Sequence, residues 1–368
     1  MLMESYIELD KNMLVNETVG DVEITWYDVH EAPFSLHGFF EPKRGELFRR
    51  LPADVAEATS LGVDRLSRES AGGRVRFSTN SPYIAIRAKY RAVGRSPHLT
   101  LVSSAGFDLY TDGEFGSYLV KEFRMPYKMV DSYEQIIKHR CKSMRSYTIN
   151  FPVHAAVESL EVGIAPDAAL REARPYRDVK PIVFYGSSIV HGTAASRPGN
   201  IYPSIIGREL NVDHINLGFS GHAKGEPVLA KYMATLPMSV FVCDYDHNAP
   251  DAEHLEKTHH PLYEAIREKN PDVPFIMITR PSAAMHRASA YKKALATRDV
   301  IMASYLKARA TGDEKVYFID GMSFFSTAHQ HDHLIDGLHP NDAGFMRMAD
   351  GIGSLIRDIL EKEFLKRS

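Results

Sequence analysis

Pro181-Ile182-Val183-Phe184-Tyr185-Gly186-Ser187-Ser188 is the stretch that decides the fold. A short, continuous apolar run that stops at a glycine reads as a strand with both faces buried. The same pattern returns downstream at His214 to Leu217, Ser239 to Cys243, Phe275 to Thr279 and Val316 to Ile319. Helical segments start between or after these runs, near Tyr202, Gly225, Ala252, Ala288 and Asn341. Buried strands separated by helices predict a five-stranded parallel sheet with helices on both faces, a three-layer α/β domain.

Upstream the period is different. Arg74-Val75-Arg76-Phe77-Ser78, Tyr83 to Tyr90 and Ser146 to Phe151 place apolar side chains on every second residue. That is the signature of strands with one buried and one wet face. Asp112-Gly113, after Phe107-Asp108-Leu109-Tyr110, suits a hairpin turn. An antiparallel, jelly-roll-like β-sandwich is expected, interrupted by a helix near Ala53 to Leu66. The polar, proline-containing link Arg171 to Tyr176 divides the chain into residues 1–175 and 176–368.

The chain has 368 residues, too many for one ordinary core and comfortable for two. With 44 basic and 47 acidic residues, its formal net charge of -3 favours neither nucleic acid nor an anionic membrane. The N-terminal MLMESYIELDKN is acidic where a secretion signal would be basic, and no run is long and apolar enough to span a bilayer. Cys141 and Cys243 stand far apart, without a CxxC pair. Together these features lead us to expect a cytoplasmic protein.

Four short motifs fall at the carboxyl ends of strands or before the last helix, where open α/β sheets bind ligands. Gly186-Ser187-Ser188 follows the first strand; a serine there projects above the sheet edge, or simply caps a helix. Asn216-Leu217-Gly218-Phe219-Ser220-Gly221 follows the second, and the Gly221 N–H can face a reacting carbonyl oxygen, or serve an ordinary turn. Asp244-Tyr245-Asp246-His247-Asn248 follows the third, and Asn248 offers a side-chain amide to an oxyanion, or closes an Asx-turn. In Asp336-Gly337-Leu338-His339-Pro340, a carboxylate three residues before a histidine can fix its tautomer. The alternative is a turn residue followed by a helix start.

In this order the motifs resemble those of SGNH or GDSL-type hydrolases. They are similar to the subgroup whose flavodoxin-like catalytic domain follows a sandwich marked GxDLY, read here as Gly106-Phe107-Asp108-Leu109-Tyr110. Ser196-Arg197-Pro198-Gly199 and the run Asp336 to Phe345 strengthen the likeness, which covers most of residues 100 to 355. The resemblance implies Ser188 as nucleophile, His339 as base and Asp336 as its orienter. It implies the Ser188 and Gly221 N–H groups and Asn248 as oxyanion donors. Two departures stand out. Ser187 replaces the aspartate of GDS and competes with Ser188. His191 stands where glutamine is expected, one helical turn on, and could line the pocket.

The resemblance implies hydrolysis of short acyl esters, chiefly acetyl, on carbohydrates, with no metal or organic cofactor. The expected partner is a small-molecule or oligosaccharide ester; a homo-oligomer is compatible with the sequence. An acyltransferase using the same three residues and a non-catalytic carbohydrate-binding protein are the alternatives. Trp26 could stack on a sugar ring or belong to the sandwich core. His329, His331 and His333 alternate as metal ligands would in an extended segment, but read better as a polar loop. His259-His260 reads as a solvated helix face.

Overall fold

The computed structural model describes residues 19–114, 116–128, 130–139, 141–281, 288–325 and 327–365. The N-terminal reading that bore on secretion lies outside these residues. The first half holds β1 (Thr25–Asp28), β2 (Ser35–His37), β3 (Arg74–Thr79), β4 (Tyr83–Val93), β5 (Phe107–Gly113), β6 (Gly116–Phe123), β7 (Ser132–Lys138), β8 (Arg145–Asn150), β9 (Ala155–Ile164) and β10 (Leu170–Arg171). They form two antiparallel sheets, one ordered β1-β9-β4-β7 and the other β10-β3-β8-β5-β6 with β2 also on β3. Their inward residues, among them Phe77, Ile86, Phe107, Leu109, Ile149 and Val162, make one core. The alternation in the sequence thus becomes a sandwich.

Two local expectations shift. Gly113 pairs with Gly116, so the hairpin turn lies between them, and the left-handed φ of 130° falls on Gly116 rather than on Gly113. The expected helix from Ala53 to Leu66 is two helices, α1 (Ala53–Thr59) and α2 (Leu61–Ser67). Ser60 splits them: its backbone is extended, and its hydroxyl accepts the Val63 N–H at 3.1 Å as the N-cap of α2. Further on, α3 (Leu101–Ala105) precedes β5.

The second half is a parallel sheet of β11 (Ile182–Gly186), β12 (His214–Gly218), β13 (Val240–Asp244), β14 (Phe275–Ile278) and β15 (Val316–Ile319), ordered β12-β11-β13-β14-β15. Its helices are α4 (Ser188–His191), α5 (Tyr202–Leu210), α6 (Pro227–Met233), α7 (Ala252–Lys269), α8 (Ala288–Ala310) and α9 (Asp342–Leu365). Along β11, Ile182 and Phe184 enter one core while Val183 and Tyr185 enter the other. Both faces are covered, which is why these strands carry no polar alternation. Leu51, Ala56, Val63 and Leu66, from the first half, belong to the core on the Val183 and Tyr185 side. Among the described residues, no helix is long and apolar enough to cross a membrane.

Candidate active site

Gly186 ends β11 under a tight restraint: a Cβ there would meet the Asp244 carbonyl oxygen at 2.0 Å. The chain then turns into α4. Ser187 is its N-cap: its N–H donates to Asp244 O at 3.0 Å, and its Oγ accepts the Ile189 N–H at 3.2 Å. Fully buried and so engaged, Ser187 does not reach the pocket for which it was a candidate. Ser188 is the first residue of α4, and its hydroxyl donates to His339 Nε2 at 2.9 Å.

The loop bearing His339 is folded upon its own acid. Asp336 Oδ1 accepts the N–H groups of Leu338 at 3.0 Å and His339 at 2.8 Å, while Oδ2 lies 2.6 Å from His339 Nδ1. A carboxylate only accepts, so Nδ1 carries the proton and Nε2 presents its lone pair to Ser188. Burial alone would raise the Asp336 pKa. Its bonds from the His339 N–H and ring and from the Leu338 N–H outweigh that and hold it below the ordinary carboxylate range. From the sandwich half, His98 stacks on the His339 ring, centroids 6.0 Å apart.

Gly221 and Asn248 meet beside Ser188, joined to each other. The Gly221 N–H donates to Asn248 Oδ1 at 3.2 Å, and Asn248 Nδ2 donates to Phe219 O at 2.9 Å. The amide has a second proton to offer, whereas the Gly221 N–H would have to exchange Asn248 for a ligand. The Ser188 N–H belongs to the first turn of α4, where helix N–H groups lack intrahelical partners.

The same cleft is lined by Arg65, Glu69, Arg95, Ser96, His98 and His154 from the first half. The sequence reading named none of them. Arg65 is one polar residue in the last turn of α2 and the others are single polar residues in turns or loops, so only the fold gathers them. Behind the cleft wall Glu69 Oε2 lies 3.1 Å from both His154 Nδ1 and His191 Nε2. His191, expected at the pocket surface, is fully buried one layer deeper. Its Nε2–H donates to Val153 O at 3.0 Å, so its Nδ1 accepts the Ser220 hydroxyl at 3.2 Å. Burial, reinforced by Arg50, pulls the His191 pKa down to about 4. Burial would raise Glu69, but the two imidazoles hold it well below the usual range.

Glu69, His154 and His191 bring one ligand atom each within 4.8 Å, as a metal site would. The proton that His191 Nε2 gives to the Val153 carbonyl makes this a hydrogen-bond network instead, since a metal ligand must offer a lone pair there. His329, His331 and His333 do not form the extended array that metal binding would need. Their segment coils, with His333 Nδ1 bonded to His329 O at 2.8 Å and its ring stacked on Phe325. Trp26 lies beneath the Arg87 guanidinium, 4.4 Å from ring to charge, and belongs neither to the sandwich core nor to the cleft lining. His259, expected on a solvated face, is buried against Ser304 Oγ at 3.0 Å, and its burial pushes its pKa down to about 3.

Three motifs that are separate in sequence are joined in space. Asp108 is fully buried and accepts the Gly199 N–H and the Asn150 amide, each at 2.7 Å, and the Arg197 guanidinium at 3.2 Å. Ser196 N–H then donates to Asp342 Oδ1 at 2.8 Å, two residues after Pro340. The sandwich, the loop before α5 and the His339 segment are thereby held as one unit. Arg50 forms a second tie. Its buried guanidinium donates to the carbonyls of Leu66, Glu69, Asn216 and Gly218 at 2.6–2.9 Å and lies over Phe219.

Comparison with known proteins gives two family matches that do not overlap. Residues 179–357 match the GDSL-like lipase/acylhydrolase family, and residues 24–170 match the GxDLY family, the N-terminus of SGNH-hydrolase-type esterases. A search of curated proteins finds no match. Among solved structures, a Bacteroides ovatus protein described as a GDSL-like lipase is 28% identical, with a TM-score of 0.83 over 92% of this chain and 98% of its own. A salicylyl-acyltransferase from a tetracycline biosynthetic pathway is 19% identical, with a TM-score of 0.74 over 89% and 95%. A family two carbohydrate esterase from Clostridium thermocellum is 16% identical, with a TM-score of 0.57 over 80% and 94%. At those lower identities the likeness is one of fold.

Proposed function

The chain belongs to the SGNH/GDSL-type hydrolases with an N-terminal GxDLY sandwich and is an esterase; from that premise we propose that it removes short acyl groups, chiefly acetyl, from carbohydrates. The observation that carries the reading is the hydrogen-bond chain Ser188–His339–Asp336 at the edge of a cleft walled by polar side chains of both halves. We take residues 1–175 and 176–368 as its two domains. The carbohydrate preference draws on the likeness to carbohydrate esterases; a cytoplasmic location would suit oligosaccharides imported after digestion outside.

In the proposed reaction, His339 Nε2 takes the Ser188 proton as Oγ attacks the ester carbonyl. Asp336 holds the imidazole in the required tautomer and stabilises the imidazolium. The Ser188 and Gly221 N–H groups and the Asn248 amide receive the oxyanion, Gly221 releasing Asn248 as it does so. The imidazolium protonates the departing alcohol. Water, deprotonated by the same ring, then attacks the acyl-Ser188 ester and frees the acid.

A screen of acetylated mono- and oligosaccharides, read by released acetate with S188A as control, tests this. Acetate release from a carbohydrate that stops in S188A supports the reading; release from none of them, while simple acetate esters are cleaved, overturns the carbohydrate assignment. The likeness to the salicylyl-acyltransferase favours one second reading, transfer of the acyl group to an alcohol instead of water. Product analysis with a candidate acceptor present separates the two.

A further inference from the structure

The charges around the cleft do not balance. Its charged wall residues are Arg65, at the end of α2, Arg95, in the loop after β4, and Glu69. Glu69 is withdrawn behind the surface between His154 and His191, and the buried Arg50 guanidinium answers its charge. Asp336 is committed to His339. Asp64, the acid of α2 one residue before Arg65, is held by Arg49 at 2.8 Å and by Arg68 at 2.5 Å. Glu158, the acid nearest the β4 end in pairing, is held by Lys89 and Arg91. Among the described residues neither the Arg65 nor the Arg95 side chain has an ion-pair or hydrogen-bond partner, and both residues are exposed. Two uncompensated guanidinium groups therefore face the cleft that holds Ser188 and His339.

We propose that Arg65 and Arg95 form an anion subsite, so that the preferred substrate is an acyl ester carrying a carboxylate. This rests on the esterase reading above and deepens it. Both arginines come from the sandwich half and line the same cleft as Ser188 and His339, so a substrate with its ester at Ser188 would turn its acidic group toward the sandwich. Guanidinium offers a planar fork of donors that matches a carboxylate, and a pair at the mouth of a cleft also steers anions inward. The carboxylate can sit on either side of the ester: on the sugar, as in an acetylated uronic acid, or on the acyl chain, as in a half-ester of a dicarboxylic acid.

The test compares kcat/KM within two pairs at low ionic strength. One pair is an acetylated glucuronate against its uncharged methyl ester. The other is the 4-nitrophenyl half-ester of adipic acid against 4-nitrophenyl hexanoate. The expected result is about a tenfold preference for the anion in one pair, which identifies the side bearing the acid. Salt should erode that preference, and R65Q/R95Q should bring the ratio to about one. Each ratio is taken within one enzyme preparation, so loss of folded protein cancels. No preference in either pair, or a preference unchanged in the double variant, overturns the subsite. Activity persisting in S188A overturns the underlying reading instead, whatever the ratios.

Discussion

Replacing Arg50 by methionine should destabilise the protein and slow it together. The guanidinium is fully buried, and although burial lowers its pKa to about 10, it remains charged at neutral pH. Its four acceptors lie at 2.6, 2.7, 2.9 and 2.9 Å. Two of them, Asn216 O and Gly218 O, belong to β12, an edge strand of the parallel sheet. Being two residues apart they point the same way, and Arg50 supplies partners that no further strand provides. Methionine fills much of the volume and strands those carbonyls, each at a cost of about 1–3 kcal/mol. The desolvation of the guanidinium, no longer required, offsets part of this, leaving a net loss of about 3–5 kcal/mol. That is a large share of the roughly 5–15 kcal/mol typical of folded proteins. The loop released is Phe219-Ser220-Gly221, beside Ser188, so kcat of the folded fraction should fall at least about tenfold. Urea unfolding followed by circular dichroism, with initial rates at one ester concentration series, measures both. R50K keeps the charge without the fork and should recover only part of each loss. An R50M protein within about 0.5 kcal/mol of wild type, with unchanged kcat, would refute the bracing role.

Asp244 is fully buried, and burial, with Asp246 beside it, raises its pKa to about 8 from 3.8. The unfolded chain loses this proton first, so stability declines as pH rises from about 4 to 8; D244N should be more stable than wild type at pH 7 by roughly 2–4 kcal/mol, the gap closing toward pH 4. A D244N protein less stable than wild type at pH 7 would contradict that sign. His191 has the opposite dependence: its folded pKa of about 4 lies below the ordinary imidazole value of about 6.5. The unfolded chain takes up that proton first, so stability is lost as pH falls from about 6.5 to 4, and H191Q should flatten the slope by about one proton, read from urea midpoints against pH. N248A should lower kcat by about 10²–10³ with little change in KM; a change confined to KM would remove Asn248 from the oxyanion site.

The parallel sheet was legible because burial on both faces leaves an unbroken apolar run, as Ile182 to Tyr185 does on β11. Ser188, Gly221, Asn248, Asp336 and His339 were legible because each sits in a short local pattern at a strand end or helix start. What those patterns could not convey is how the groups are engaged. Ser187 precedes Ser188 by a single position, yet its hydroxyl caps α4 and is buried. Gly221 and Asn248 are bonded to each other, which spacing does not encode. Arg50, Glu69, His98 and His154 carry no local motif at all. Their meaning arises at the seam, where a guanidinium from before α1 reaches an edge strand more than 160 residues later in the chain. The hairpin expected after β5 is present, but its turn is displaced: Asp112-Gly113 has turn chemistry, yet Gly113 is still paired, with Gly116.

Trapping the proposed nucleophile, Ser188, tests the mechanism at its first covalent step. Brief reaction with 4-nitrophenyl acetate, acid quench and peptide mass mapping should place one acetyl group on Ser188, and a fluorophosphonate should label the same residue. S187A should still be labelled; S188A should neither be labelled nor release acetate. An adduct on Ser187 or Ser220, or hydrolysis retained in S188A, would contradict the account.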